Sequence, residues 1–276
     1  KSPIFLSVSK VKSFEHCKAK YKFSYIEKLP QKDRDYLVFG KFLHATLENF
    51  YKAYIAGSER PTSEEMGDAF KLAYEEYKDK ITPEQFKEAR SIVESYLCTI
   101  KDQKSKQTFA EVLETEQEFY INIDDKLVLN GFIDRIQLDP DGILHVADYK
   151  TSKTKSIKYL KKDKFQLSTY AYVSFLMHPE LNKIRTSYIL LRSRICVGCG
   201  YNLNETESEC AKCKGTKFTL GSIIEEFTRQ QADAIEEDFL EYAAKINVEA
   251  AYAASPGVLC SWCDYLELCP DGGKFV

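Results

Sequence analysis

Two carboxylates and a lysine lie near the ends of two adjacent segments that have the alternating pattern of strands. Asp134 is placed at the end of one strand, in KLVLNGFIDRIQL, and Asp148 and Lys150 lie near the end of ILHVADYKT. Side chains alternate along a strand, so Asp148 and Lys150 point to the same face of the sheet. Phosphodiester hydrolysis needs carboxylates to bind Mg²⁺ or Mn²⁺ and a lysine to orient water or stabilise charge. The bare pattern is weak, because surface strands often carry such residues by chance.

One group of cysteines has the spacing of a tetrahedral zinc site. Two C-x-x-C pairs are separated by ten residues, with glycines nearby for the tight turns. The ligands would be Cys196, Cys199, Cys210 and Cys213. We predict a zinc-ribbon hairpin over residues 194–217, whose contact with DNA, with a partner or only with the rest of the fold stays open. Cys98 belongs to neither group and is predicted to be a buried core thiol on its helix.

A second group of cysteines lies near the end of the sequence. Cys260, Cys263 and Cys269 are three thiols with two and five intervening residues. Three thiolates do not complete a four-ligand cluster, and Cys17 is the candidate for the distant fourth ligand. Such a site would close a loop of about 240 residues and stabilise the fold by about 5 kcal/mol at most. A structural zinc at the same four residues is the alternative, and a reducing cytoplasm disfavours disulfides.

Composition bounds the class of protein. With 276 residues, 44% of them hydrophobic, the chain can bury one large α/β core, and we expect a single domain over residues 1–276. No apolar run approaches the roughly 20 residues of a membrane span, and KSPIFLSVSK lacks the apolar core of a signal peptide. These features predict a cytoplasmic protein without a membrane partner.

A basic segment offsets the formal net charge of −3. Residues 150–164 carry seven lysines and one acid, Asp163. The lysines are Lys150, Lys153, Lys155, Lys158, Lys161, Lys162 and Lys164. An isolated run of this kind is usually a solvated face. Its position after Asp148 instead favours a path for a nucleic-acid strand, guided also by Tyr149, Tyr159 and Phe165 in a salt-sensitive way.

The predicted elements place these residues on a few helices and strands. A helix over residues 7–26 would carry Cys17, and one over 39–55 would carry His44. Two further helices form a helical lid over about 60–105, the second with a capping box at Thr82. Three strands with tight turns follow from Phe109 onward, and then come a helix at about 161–177 and a strand at about 184–192. The order predicts an α/β fold.

Five segments follow in order the motifs of RecB-like nucleases of the PD-(D/E)XK superfamily. They are LSVSKVKSFEHCKAKYKFSYI, FGKFLHATLENFY, NGFIDRI, ADYKTSK and FQLSTYAY. Within this superfamily, the sequence most resembles the iron–sulfur subgroup. That subgroup includes AddB-type nucleases and CRISPR-associated adaptation nucleases. The resemblance spans nearly the whole chain. It implies a restriction-endonuclease-like core, with a central mixed sheet flanked by helices and a cluster that joins the termini.

The resemblance also implies roles for individual residues. A histidine on the second helix contributes to the metal site, which indicates His44, although a lone helix histidine is usually a surface or core residue. The Gly-x-x-Asp motif corresponds to Gly131–Asp134, and the Asp-x-Lys motif to Asp148 and Lys150. An upstream strand glutamate corresponds to Glu116, with Glu114 and Glu118 competing for that alignment.

Two further matches complete the expected ligand sets. The Gln-x-x-x-Tyr motif corresponds to Gln166 and Tyr170, which share one helix face and could reach substrate or nearby water, or could simply be a polar helix edge. In the resembling subgroup, one early and three late cysteines bind a [4Fe–4S] cluster. Here they would be Cys17, Cys260, Cys263 and Cys269.

These observations predict a Mg²⁺- or Mn²⁺-dependent deoxyribonuclease. His44, Asp134, Asp148 and the carbonyl of Tyr149 would hold the ions, and Lys150 would assist the attacking water. An exonuclease that acts on single strands or DNA ends is favoured over an endonuclease, in recombination, repair, phage or CRISPR-type processing. A non-catalytic DNA-end-binding module or a redox sensor of the same fold is the alternative. No phosphate-binding loop is present, so a helicase would be a separate partner, and an oligomer is possible.

Overall fold

The computed structural model describes residues 3–32, 34–56, 62–152, 157–203 and 207–274. The chain forms two compact units. The terminal unit comprises Lys1–Asp33, Glu118–Gly131 and Asp233–Val276, and the central unit comprises Arg34–Gln117 and Phe132–Ala232. All predicted catalytic residues lie in the central unit, and the four cysteines predicted to bind the cluster lie in the terminal unit.

The strands form a mixed sheet. The described residues contain β1 Ile4–Leu6, β2 Glu111–Asp124, β3 Leu127–Leu138, β4 Leu144–Lys150, β5 Lys183–Cys196, β6 Asn202–Leu203 and β7 Phe218–Thr228. In the central unit β3 pairs antiparallel with β4, β4 parallel with β5, and β5 antiparallel with β6 and β7. In the terminal unit β1 pairs parallel with the start of β3. The predicted α/β class, with a mixed central sheet flanked by helices, is confirmed.

Strand β4 explains why acidic residues of the site are buried. Its sequence LHVADYK lies between β3 and β5, and every residue except Lys150 is buried. A strand covered on both faces is normally a continuous apolar run, and here the buried polar residues His145 and Asp148 interrupt it. Asp148 is therefore held in the interior with 4% of its surface exposed.

The helices up to residue 177 agree with the predicted positions, with two breaks, and the helix at residues 229–248 was not predicted. The helices are α1 Val8–His16, α2 Lys18–Tyr21, α3 Asp35–Ile55, α4 Ser63–Tyr77, α5 Pro83–Ser105, α6 Ile157–Lys162, α7 Phe165–Met177 and α8 Arg229–Val248, with a π-helical turn Lys22–Ile26 and 3₁₀ turns Val258–Trp262 and Gly272–Lys274. The predicted helix 7–26 is interrupted at Cys17, whose backbone is extended. The predicted helix 161–177 is two helices separated at residues 163–164.

Helices α4 and α5 are the segment predicted as a lid, of which residues 60 and 61 lie outside the described residues. Both begin with a capping box, at Thr62 and, as predicted, at Thr82 with Gln85. They pack on α3 through edge-to-face aromatic contacts, such as Phe42 with Phe70 at a centroid distance of 5.2 Å. Cys98 lies on α5 but is exposed, so its predicted burial is wrong.

No helix within the described ranges combines the length and apolarity that crossing a membrane requires.

Gly131, the first residue of the Gly-x-x-Asp motif, is explained by a close approach in the terminal unit. A Cβ at this position would lie 2.8 Å from the ring of Phe119, which is itself buried. A side chain could be accommodated only if that ring moved. The glycine therefore reflects packing rather than chemistry.

We predict opposite effects of alanine at two glycines. Gly131→Ala should lower the free energy of unfolding by about 1–3 kcal/mol, because it overpacks a buried contact. Gly67→Ala should raise it by about 0.5–1 kcal/mol, because Gly67 lies within α4 and a Cβ there meets no atom within 4 Å. Urea denaturation of the two variants provides the measurement. Equal effects in the two variants would contradict the packing explanation.

Candidate active site

Three side chains from three different elements converge into one potential ligand group. His44 comes from the middle of α3, Glu116 from β2 and Asp134 from β3, and one potential ligand atom from each lies within 4.8 Å of the others. His44 Nδ1 is 3.6 Å from Asp134 Oδ1 and 3.9 Å from Glu116 Oε1. One nitrogen and two carboxylate oxygens form a donor set that suits Mn²⁺ or Mg²⁺.

The peptide groups of Tyr149 hold two members of this group in place. The Tyr149 N–H donates to Asp134 Oδ2 at 2.6 Å, and the Tyr149 carbonyl accepts from His44 Nε2 at 3.1 Å. A histidine that donates through Nε2 can present the lone pair of Nδ1 to a metal when it is neutral. The Tyr149 carbonyl, predicted as a metal ligand, is thus engaged by His44.

Asp148 and Lys150 form a second cluster with Gln166 and Tyr170. Lys150 Nζ pairs with Asp148 Oδ2 at 2.6 Å and donates to Gln166 Oε1 at 2.9 Å. Gln166 Nε2 donates to Asp148 Oδ1 at 2.9 Å, and the hydroxyl of Tyr170 lies 3.1 Å from the same oxygen. The predicted common face of Asp148 and Lys150 is therefore present. Among the described residues, Asp148 is not a member of the three-ligand group.

Glu116 is the glutamate that reaches His44 and Asp134. Its backbone has φ of +50°, a left-handed conformation that is uncommon for residues other than glycine. Such local strain persists where the surrounding structure imposes it, often at functional sites. The competing glutamates, Glu114 and Glu118, are both exposed.

Burial and crowded negative charge shift the protonation of the group. Burial would lower the pKa of His44, but the hydrogen bond and charge of Asp134, together with Asp148 and Glu116, raise it to about 9. Burial and the charge of Asp134 raise the pKa of Glu116 to about 7. Burial also raises the pKa of Asp148; Lys150 opposes this shift and Asp134 adds to it. A bound cation would stabilise the ionised carboxylates of this group.

The profile of the PD-(D/E)XK nuclease superfamily matches residues 5–270. The chain belongs to this superfamily. Over 164 residues it is also 30% identical to proteins from Streptococcus agalactiae serotypes Ia, V and III that are described as one subunit of an ATP-dependent helicase/deoxyribonuclease. That alignment covers 55% of this chain and 14% of those proteins, so the chain spans only a small part of their length.

Two solved structures are similar at lower identity. The crystal structure of SSO0001 has a TM-score of 0.37 and 16% identity, and the alignment covers 99% of this chain and 88% of that one. A phage-related exonuclease from Haemophilus somnus 129PT has a TM-score of 0.29 and 12% identity, with 74% and 94% covered.

Behind the site, the PD-(D/E)XK chain buries a guanidinium that sequence reasoning missed. Arg135 is 7% exposed, and its Nη1 donates to the hydroxyls of Tyr51, Tyr96 and Tyr149 at 2.9, 2.5 and 3.2 Å. Among the described residues, no carboxylate forms an ion pair with it. The sequence could have indicated this burial, because Arg135 follows Asp134 in a buried strand. Side chains alternate along a strand, so Arg135 points to the face opposite Asp134.

Only part of the lysine segment predicted to guide a nucleic-acid strand lies within the described residues. Lys153 and Lys155 and the side chain of Lys158 lie outside the described residues, while Lys161 and Lys162 are exposed. Lys164 pairs with Glu225 at 2.8 Å. Tyr159 is exposed and Phe165 is half-buried.

Tyr149 does not belong to that path. Its side chain is 3% exposed and its hydroxyl accepts from Arg135, so its predicted role in guiding a strand is wrong. The residue lies between Asp148 and Lys150, and alternation turns its ring to the core side of β4.

The four cysteines of the predicted ribbon cluster tightly. They are Cys196, Cys199, Cys210 and Cys213, with all sulfur atoms within 4.8 Å of one another; the Cys196–Cys213 pair is at 3.4 Å and the Cys199–Cys210 pair at 3.5 Å. Zn–S bonds of about 2.3 Å give sulfur separations of about 3.8 Å in a tetrahedron, so the arrangement is compatible with zinc. Gly215 is required by close approach, because a Cβ there would lie 3.3 Å from two of the sulfurs.

The other four cysteines line one small cavity in the terminal unit. They are Cys17, Cys260, Cys263 and Cys269, and the cavity has a volume of about 30 Å³ between mostly apolar residues. Tyr265, buried beside this cavity, has its hydroxyl 3.1 Å from Ser24 Oγ and donates to the Leu29 carbonyl at 3.2 Å. Four cysteines from the two ends of the sequence thus line one cavity.

We predict that Mn²⁺ affinity rises with pH, because a metal must displace protons from the ligand group. The pKa of about 9 for His44 and about 7 for Glu116 mean that both groups hold protons below those values. Affinity should rise by about tenfold per pH unit for each proton displaced and level off above pH 9 or so. Titration calorimetry in two buffers measures both affinity and proton release.

The variant His44→Gln is the control for this titration. It should bind Mn²⁺ more weakly, and the rise between about pH 7 and pH 9 should vanish because an amide does not titrate there. A wild-type affinity that does not change across this range would contradict the assignment.

Proposed function

We propose that the chain is a divalent-metal-dependent nuclease that hydrolyses DNA phosphodiesters. The observation that carries this proposal is the convergence of His44, Glu116 and Asp134 beside the Asp148–Lys150 pair. Membership of the PD-(D/E)XK superfamily supports the class of reaction. The complete set of acidic and basic groups favours catalysis over a purely DNA-end-binding module.

The chain's own groups have distinct proposed roles. His44, Glu116 and Asp134 would hold Mg²⁺ or Mn²⁺, with Asp148 adding negative charge or a further ligand. A bound ion would supply Lewis-acid activation of water and neutralise charge on the phosphate. Lys150 has three N–H donors, of which Asp148 and Gln166 engage two. The third can donate to the attacking water or to a phosphate oxygen.

Gln166 and Tyr170 would act by positioning. Gln166 donates to Asp148 and accepts from Lys150, so it fixes the separation of the two charged groups. The Tyr170 hydroxyl is buried within hydrogen-bonding distance of Asp148 Oδ1 and the Phe132 carbonyl. In this structure both side chains contact Asp148, and so we assign them to its orientation.

This proposal also specifies the form of DNA that is cleaved and a partner protein. We favour exonucleolytic cleavage of single strands or DNA ends, in recombination, repair, phage or CRISPR-type DNA processing. The similarity to part of a helicase/deoxyribonuclease supports DNA as the substrate and a helicase as a partner.

We predict that Asp148→Asn and Lys150→Met each reduce cleavage by at least about 10²–10³-fold, the usual effect of removing one charge-stabilising group. Labelled single and double strands with Mg²⁺, Mn²⁺ or a chelator provide the assay. Asp141→Asn is the matched control, since Asp141 is exposed and pairs with Arg185. Full activity in Asp148→Asn, with unchanged circular dichroism, would end this proposal.

We further propose that Cys17, Cys260, Cys263 and Cys269 bind a [4Fe–4S] cluster and that the ribbon cysteines bind a structural Zn²⁺. The first set lines an apolar cavity, and the second has tetrahedral spacing. A zinc ion in the first set is the alternative. In either case Cys17 ties the early helices to the late cysteine segment within the terminal unit.

We predict that anaerobically purified protein contains iron and acid-labile sulfide in equal amounts. Cys17→Ser should remove most of both and lower the free energy of unfolding by up to about 5 kcal/mol, because the longest loop is no longer closed. Cys98→Ser is the control, because Cys98 is exposed on α5. Zinc without iron in the wild-type terminal site would favour the alternative.

A further inference from the structure

The cleft beside the ligand group continues along α3 to an exposed aromatic ring. Tyr36, Gly40 and His44 line one cleft of about 520 Å³, at successive turns of the helix. With a rise of about 1.5 Å per residue, Tyr36 lies about 12 Å from His44 along the helix axis. The Tyr36 side chain is 52% exposed.

Gly40 lets the helix surface between these two residues approach the residue that follows β4 closely. Gly40 has no side chain, and a Cβ there would lie only 3.1 Å from Thr151 Oγ1, at the end of the strand that carries Lys150. The start of α3 is also held in place, because Gln85 Nε2 donates to the Asp35 carbonyl at 3.3 Å. Tyr36 and His44 therefore lie at two ends of one cleft, on a helix whose start is held in place.

The described residues that line this cleft include one lysine and two glutamates. Lys41 is exposed and lines the cleft next to Gly40. Glu48 also lines it, but its carboxylate accepts from Lys52 at 2.5 Å, which reduces its repulsion of phosphate. Glu116 belongs to the ligand group, where a bound cation would offset its charge.

We propose that Tyr36 and Lys41 form a subsite for single-stranded DNA, in which Tyr36 stacks on an unpaired nucleobase and Lys41 contacts the backbone. This inference rests on the proposed nuclease function and specifies the strand form that the cleft accepts. A nucleobase can stack on an aromatic ring only when its own face is free. In a duplex, the adjacent bases cover that face. Duplex DNA would have to open before it used this subsite.

The distance separates this subsite from the chemistry. At the duplex spacing of about 3.4 Å per nucleotide, about 12 Å corresponds to at most about three or four nucleotides, and to fewer in an extended single strand. Tyr36 would therefore contact a base away from the reacting phosphate, and its loss should weaken binding without changing the rate of the bound complex.

The test uses the full chain and labelled single strands. Tyr36→Ala should raise KM about tenfold, within the range found for loss of one base–aromatic stack, while kcat stays unchanged. Tyr36→Phe should behave like the wild type, because the stacking face is retained. Tyr120→Ala is the matched control, since Tyr120 is 58% exposed and does not line the cleft.

A set of strands with one abasic residue, moved through successive positions, locates the subsite. At one position the abasic residue should raise the KM of the wild type but leave that of Tyr36→Ala unchanged. A KM equal to that of the wild type in Tyr36→Ala would overturn the subsite. So would abasic residues and the Tyr36→Ala substitution whose effects on KM are additive at every position.

Strand binding in Ca²⁺, followed by fluorescence anisotropy, separates this inference from the proposed function. If the wild type cleaves no DNA but Tyr36→Ala still weakens strand binding, the nuclease proposal fails and the subsite stands. If the wild type cleaves and Tyr36→Ala binds and cleaves equally well, only the subsite fails.

Discussion

The backbone of Tyr149 is the constraint on which the candidate site depends. Its N–H orients Asp134, its carbonyl orients His44, and its neighbours in sequence are Asp148 and Lys150. Its ring is anchored on the opposite face by Arg135 and packs with Tyr96. A shift of this one residue would move both the ligand group and the Asp148–Lys150 pair, so buried packing behind the sheet sets the geometry in front of it.

This arrangement concentrates negative charge in a buried region, where the free-energy cost of holding charge is high. Three carboxylates approach one another in a partly buried cleft. Among the described residues outside the ligand group, only Lys150 forms an ion pair with one of these carboxylates. The raised pKa values of Glu116 and Asp148 record that cost. A divalent ion would remove much of it, which links metal binding to stability as well as to the proposed chemistry.

Local patterns predicted the parts of the molecule that local interactions determine. The alternating strands, the capping box at Thr82 and the four ribbon cysteines all follow from spacing within short segments. The break at Cys17, the burial of Tyr149 and the hydroxyl cage around Arg135 depend on contacts between distant segments, which spacing does not encode. Tyr36 was missed for the same reason, because a surface tyrosine differs from a cleft tyrosine only in its tertiary neighbours.

Strand β5 links the candidate site to the segment that holds the four ribbon cysteines. Pairing of β4 with β5 ends at Lys150 and Leu190, and β5 then bulges, since Leu190 and Arg194 face adjacent residues of β7. Gly221 leaves room for the bulge, where a Cβ would lie 2.7 Å from Ser193 Oγ. Arg192, within the bulge, donates to the Thr151 carbonyl at 3.1 Å. The bulge thus holds the residue after Lys150 in place before the chain enters the segment of the four ribbon cysteines.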